Sequence, residues 1–438
     1  SFPPVDLLEA HYDFTMDLEG KRAVFDALRI RAVQQDKEFL KGQINQPMTL
    51  VWGGDSIEAP DSRFELAVSN TDVADWQPWL GRYAKSGAVK ARAEIRVKNN
   101  GREVHVDSSG SISGFQLPVN GKVIRAGDFD LNATGQIIDF NKLEFTQFKA
   151  EVGRPDKVFF KYEGRPVVNL KTKVVMDTNG KLEGELPILF SWFPQKGMSC
   201  ETGRVTYNGT LTAKLNQPRK QTVAGTVHWE NVNGVIRTHK LDRLAGTADL
   251  DLELEESHQL RINRFVTDAT VGGQPLFSKI SLGGLWNLRD GLVDLEEVLI
   301  NGLDLSLLKF TVPMKGVSAG MLDVRLETLG HEPGSKTIAK KVVANIRKGV
   351  VTGWPMDLNL DGSGDVEMTW MGKGDFKMLG STFDLKLLSK GDASRSDAQL
   401  KGDVLFNKST GEIQVDLKSS HWDYPFLNSM LMKRLGAV

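Results

Sequence analysis

Residues 248–255 read ADLDLELE, and this octet decides the fold class. Ala248, Leu250, Leu252 and Leu254 alternate with Asp249, Asp251, Glu253 and Glu255. A period of two sends the apolar side chains to one face of a β-strand and the carboxylates to the other. The pattern recurs along the chain. Leu322, Val324 and Leu326 alternate with Asp323, Arg325 and Glu327; Phe129, Leu131 and Ala133 with Asp130, Asn132 and Thr134; Ile413, Val415 and Leu417 with Gln414, Asp416 and Lys418. One-sided burial suits antiparallel strands, because a parallel sheet needs both faces covered. NNG at 99–101, TNG at 178–180 and STG at 409–411 read as hairpin turns between such strands.

The octet belongs to a longer period. GAVKARAEI (87–95), GRVTYNGTL (203–211) and GMLDVRLET (320–328) open on glycines 116 and 117 residues apart. Each is followed by a second strand-like piece: SSGSISGF, VAGTVHWENV and KVVANIRKGV. Then come GDFDLNATG (127–135), GTADLDLEL (246–254) and GDVEMTWMG (364–372), trailed by KLEFTQFKA, QLRINRFVT and STFDLKLLS. YDFTMDLEG (12–20) and AVFDALRIRAV (23–33) resemble these third and fourth pieces. The order divides the chain into a partial repeat at 1–86 and repeats at 87–202, 203–319 and 320–438. A fixed period of this length means stacked units, here roughly 15 to 20 strands, rather than independent domains. A start inside a repeat is expected of a portion of a longer polypeptide.

Each unit is expected to close with a short helical crossover. Thr71 and Asp72 are good N-caps ahead of Trp76 and Trp79; Asp304 precedes Leu305 and Leu307; Asp423 precedes Phe426. In LFSWFP, which carries Trp192, the helix is expected to shrink to a turn before Pro194. The apolar side of each crossover is expected to lie across the apolar sheet face.

Composition removes several function classes. A net charge of −1 offers no basic face for nucleic acid. The longest apolar runs, such as LPILFSWF, fall far short of the roughly 18 residues that cross a bilayer as a helix. Cys200 is the single cysteine, so the chain has no disulfide framework. Its seven histidines are scattered without metal-ligand spacing, and neither a nucleophile elbow nor a phosphate loop occurs. These observations predict a non-enzymatic protein with no catalytic residues, metal or cofactor.

Amphipathic antiparallel strands, a short capped helix with a Trp/Leu face and a Gly-led strand follow one another most clearly in residues 68–115, VSNTDVADWQPWLGRYAKSGAVKARAEIRVKNNGREVHVDSSGSISGF. That order resembles the AsmA/TamB-like repeating β-groove superfamily across essentially the whole chain. The resemblance implies an elongated, twisted antiparallel sheet with crossover helices, forming an open apolar groove that carries phospholipid acyl chains. It further implies a periplasmic location in the bacterial envelope, an inner-membrane tether on the full-length protein, and membranes at the two ends. On this reading the lining is Phe129, Leu131, Leu143, Phe145, Leu250, Leu252, Leu322, Val324, Leu326, Phe383, Leu385, Ile413 and Val415. An envelope scaffold, or an outer-membrane assembly factor that binds a protein partner through its groove or sheet edge, is the alternative. A stack of ordinary β-sandwiches would produce the same alternation.

Overall fold

The computed structural model describes residues 5–51, 61–76, 85–98, 103–119, 122–138, 141–192, 197–214, 217–236, 239–255, 259–287, 292–307, 317–331, 338–351, 358–372, 375–388, 396–407 and 412–422. Nearly all of them are strand. The order is β1 (Leu7–Asp17), β2 (Arg22–Gln34), β3 (Lys37–Gln46), β4 (Met48–Val51), β5 (Ser62–Asp72), β6 (Ser86–Lys98), β7 (Glu103–Val119) and β8 (Lys122–Ile138). Next come β9 (Lys142–Arg154), β10 (Lys157–Gly164), β11 (Val167–Asn169), β12 (Val174–Glu185), β13 (Met198–Lys214), β14 (Gln217–Ile236), β15 (His239–Glu255) and β16 (Gln259–Val271). The series ends with β17 (Gln274–Asn287), β18 (Leu292–Asp304), β19 (Val317–His331), β20 (Ile338–Val351), β21 (Leu358–Gly372), β22 (Asp375–Leu388), β23 (Ser396–Asn407) and β24 (Glu412–Trp422). The chain is all-β, and every described ladder is antiparallel, as the alternation requires.

Two compact units are present: Ser1–Pro194 with Arg204–Thr222, and Gln195–Gly203 with Val223–Val438. Within each, strands pair with their neighbours in the chain. Two strands are interrupted at prolines, which have no N–H for the ladder. Pro47 separates β3 from β4, and Pro166 separates β10 from β11.

One irregularity recurs with the period of the repeat. Asp26 on β2, Thr146 on β9, Asn263 on β16 and Leu379 on β22 each have no partner opposite and form a bulge. They stand 120, 117 and 116 residues apart. Each inserts one residue and so reverses the phase of its strand. On β9, Leu143 and Phe145 before the bulge therefore share a face with Phe148, Ala150 and Val152 after it. Gly87, Gly203 and Gly320 share a backbone conformation, with φ of 147°, 139° and 132°.

Three local expectations are corrected. TNG at 178–180 is not a hairpin turn: it lies inside β12 as a bulge, where the Asp177 carboxylate accepts a hydrogen bond from the Asn179 N–H at 3.0 Å. Residues Leu186–Trp192 form a regular α-helix, α1, instead of shrinking to a turn. The strand expected to begin with STFDLKLLS starts six residues earlier, at Asp375. The Gly272–Gly273 hairpin, with φ of 58° and 82°, escaped the sequence reading although Gly-Gly between strands is a strong turn signal.

Candidate functional site

Register builds the candidate site. Reading across the first unit from strand to strand, the aligned residues are Leu8, Ala32, Leu40, Val68, Ala91, Gly110, Leu131, Ala150, Tyr162, Leu182 and Tyr207. Eleven strands contribute to this row, and its only polar atoms are two tyrosine hydroxyls. Parallel rows join Ile112, Phe129, Val152, Phe160, Gly184 and Val205, and Ile44, Phe64, Ile95, Val106, Gly135 and Phe145. Leu143 aligns with Ile137 and Val168. The first unit thus has one apolar face, holding Phe129, Leu131, Leu143 and Phe145.

The second unit repeats the arrangement. Leu250, Phe265, Leu282, Val298, Leu326, Val342 and Val366 align across seven strands. Val324 aligns with Ile300 and Ala344, and its row runs through Gly364 to Phe383 and Gly402. Leu322 aligns with Leu303 and Ile346, and through Gly362 with Leu385. Leu252 pairs with Ile262, Ile413 with Phe406 and Val415 with Val404. For Phe383, Leu385, Ile413 and Val415 the placement is a backbone register position.

What cover the face has comes mainly from neighbouring side chains of the same sheet. Its most buried members are small: Ala32 at 1%, Ala133 at 6% and Ala248 at 2% exposure. Of the bulky members Tyr207 is buried at 7%, whereas Leu182 at 39% and Trp286 at 40% stay open. In a sandwich, residues of this size pointing inward would be buried against a second sheet. Aromatic rings lie over cross-strand glycines instead. A methyl group at Gly184 would come within 2.6 Å of the Phe160 ring, and one at Gly42 within 3.0 Å of Phe64. The opposite face carries short ion pairs, such as Lys149–Glu151 at 2.9 Å and Lys161–Glu163 at 2.7 Å. Exposed pairs like these contribute roughly 0–1 kcal/mol each, so they matter more for solvation than for stability.

Crossover segments reach the apolar face where they are described. Trp192 of α1 packs on Phe160 with ring centroids 5.1 Å apart. Trp76 closes a 3-10 turn, Val73–Trp76; its indole N–H donates to the Thr71 hydroxyl at 3.0 Å and its ring meets Phe39 at 5.8 Å. Asp72 caps this turn by accepting from the Ala74 N–H at 2.7 Å, and the same oxygen accepts from the Gly87 N–H at 3.1 Å. Crossover and repeat-opening glycine are thereby tied together. Leu305 is buried, Leu307 half-buried, and Asp304 accepts from the Ser306 N–H at 2.8 Å. Trp79 and Phe426 lie outside the described residues.

Among the described residues, polar groups on the apolar side that escaped the sequence reading include Asp177 and Lys340. Asp177 is 2% exposed and accepts from the Tyr162 hydroxyl at 2.5 Å. Burial, then this hydrogen bond, pushes the Tyr162 phenol well above its usual range. Lys340 is buried, and its ammonium donates to the Leu295 carbonyl at 2.6 Å, beside the bulge at Glu296. Burial raises the Cys200 thiol, the reverse of what activates a cysteine nucleophile. Among the described residues no three His, Cys, Asp or Glu side chains are grouped as a metal ion would need, and no helix is long and apolar enough to cross a membrane. No family model matches the chain, and neither a curated protein nor a solved structure does.

Proposed function

We propose that the chain is a lipid-binding protein whose apolar sheet face carries phospholipid acyl chains, as part of a lipid-transfer system between the membranes of a bacterial envelope. The observation that carries this reading is the unbroken apolar row across eleven strands of the first unit, in which all the bulky members but Tyr207 remain part-exposed. An uncovered apolar surface larger than a few hundred Å² marks an interaction site. Acyl chains need no hydrogen-bond partners, so a face of Leu, Val, Ile and Phe satisfies them completely. Chains would slide along the face while the headgroups stay in water, with no covalent step.

Phospholipid is expected to co-purify with the chain from a bacterial host without any added lipid, read by native mass spectrometry and by lipid extraction. Leu250→Asp and Val324→Asp, each shown folded by circular dichroism, are expected to lower the bound lipid at least severalfold. Lipid-free wild-type protein would sink the proposal, as would folded variants with undiminished lipid.

A second reading has one observation in its favour. Among the described residues β1 pairs only with β2, and its Leu8 and Tyr12 are 68% and 65% exposed. A free edge with an apolar face accepts an added strand, so a protein partner would dock there. Stoichiometric protein recovered in place of lipid would favour it.

A further inference from the structure

Opposite the apolar face of the first unit, a bulge and a strand break meet. Pairing of β9 with β10 runs to Phe148 opposite Gly164 and resumes with β11 at Glu144 opposite Val167. Between these points β9 bulges at Thr146, and the partner strand is broken by Arg165–Pro166. The residue before a proline is held extended, and proline offers no N–H, so the ladder cannot close here. The Phe145 N–H bridges the gap, donating to the Pro166 carbonyl at 2.9 Å.

The gap opens into a cavity of about 580 Å³. Lys149 on β9, Arg165 at the break and Lys181 on β12 line it, with Glu163 as the one carboxylate. Register sets Lys149, Glu163 and Lys181 side by side on the polar face. Glu163 is engaged by Lys161 at 2.7 Å, Lys149 by Glu151 at 2.9 Å and Lys181 by Glu183 at 2.5 Å. Arg165 is exposed and makes no ion pair among the described residues. Thr146, Gln147 and Asn179 add neutral donors to the same walls. The break at Pro47 lies on the strand paired with the bulged β2 in the same way, yet Gln46 stands before that proline. The cation is therefore not something the backbone break demands.

We propose that this gap binds a phosphate group, held in the fork of Arg165 and flanked by Lys149 and Lys181. With the ion-pair partners counted, the four cations Lys149, Lys161, Arg165 and Lys181 face the three carboxylates Glu151, Glu163 and Glu183, which leaves one positive charge, that of Arg165, for an anion. A guanidinium presents paired N–H donors that match phosphate oxygens, which a single ammonium cannot do. The phosphate could be soluble or could belong to a lipid headgroup. The inference stands apart from acyl-chain binding, because the gap lies on the other face of the sheet.

Titration calorimetry of the whole chain with inorganic phosphate, and co-sedimentation with phosphatidylcholine vesicles with and without phosphatidic acid, test it. Saturable binding is expected in at least one arm, weakening with salt. Arg165→Gln is expected to reduce it about tenfold, the loss of one charge-assisted contact, with partial recovery in Arg165→Lys. Arg264→Gln, which removes an exposed arginine of the second unit, is expected to change nothing. Binding of inorganic phosphate alone identifies a soluble phosphate ligand. Vesicle binding that requires phosphatidic acid and is competed by phosphate identifies a headgroup. Absence of binding in both arms overturns the proposal, and so does equal binding by a folded Arg165→Gln. Co-purifying lipid in Arg165→Gln should match the wild type, which keeps the two proposals separable.

Discussion

Asp177→Ala is expected to cost the first unit about 3 kcal/mol, the penalty for leaving buried polar partners unmade. The carboxylate is 2% exposed and is held from two sides, by the Tyr162 hydroxyl at 2.5 Å and the Asn179 N–H at 3.0 Å. Its space is made by a glycine: a Cβ on Gly164 would sit 1.8 Å from the Asp177 oxygen. Asp177→Asn keeps an acceptor for the Asn179 N–H and is expected to lose about half as much. Urea midpoints read by circular dichroism measure both, and equal stability of wild type and alanine variant would refute the assignment. A pH arm follows from Tyr162. Its phenol titrates higher in the folded chain than in the unfolded one, where the value is about 10. The stability it contributes is therefore complete below about pH 10 and declines as pH rises toward the folded value, because the unfolded chain loses its proton first. Tyr162→Phe is expected to flatten this alkaline decline, and an unchanged slope between pH 9 and 11 would count against it.

Gly320→Ala is expected to destabilise the second unit by about 3 kcal/mol, combining left-handed strain with backbone collision. With φ at 132°, an added Cβ would stand 2.7 Å from the Cα of Gly349 and 3.0 Å from its nitrogen, atoms that cannot turn away. The Gly320 carbonyl also accepts from the Leu305 N–H at 2.9 Å, so any shift disturbs the crossover. Gly110→Ala is the matched control. Its Cβ would meet nothing closer than 3.7 Å, and a change within about 1 kcal/mol is expected. At Gly87 the nearest obstacle is the Ile112 side chain, which can rotate, so Gly87→Ala should fall between the two. If all three variants unfold at one urea concentration, backbone conformation is not why these positions hold glycine.

The alternation in ADLDLELE carried the strand assignment because side-chain direction in a strand is a local property, readable two residues at a time. The glycine period was legible for a related reason: positive φ excludes most other residues, so a structural need leaves a mark in the letters. Other features left weaker marks. TNG at 178–180 has the composition of a turn, yet Gly180 pairs with Gly209 inside β12, and the local preference yielded to the ladders on either side. Asp177 read as one more polar residue of a strand. Its burial depends on Tyr162, a residue of another strand, and on the gap left by Gly164.

By itself, the sequence determined an all-β antiparallel chain with one apolar and one polar side to its strands, and the positions where glycine is required. Only the tertiary structure decided which residues stand side by side. One bulged residue at Thr146 or Asn263 turns the rest of its strand over, so membership of the apolar face rests on pairing with a neighbouring strand rather than on spacing within one. The meeting of a bulge on β9 with the break at Pro166 is equally non-local, since each half is unremarkable alone and the cavity exists only where register brings them together.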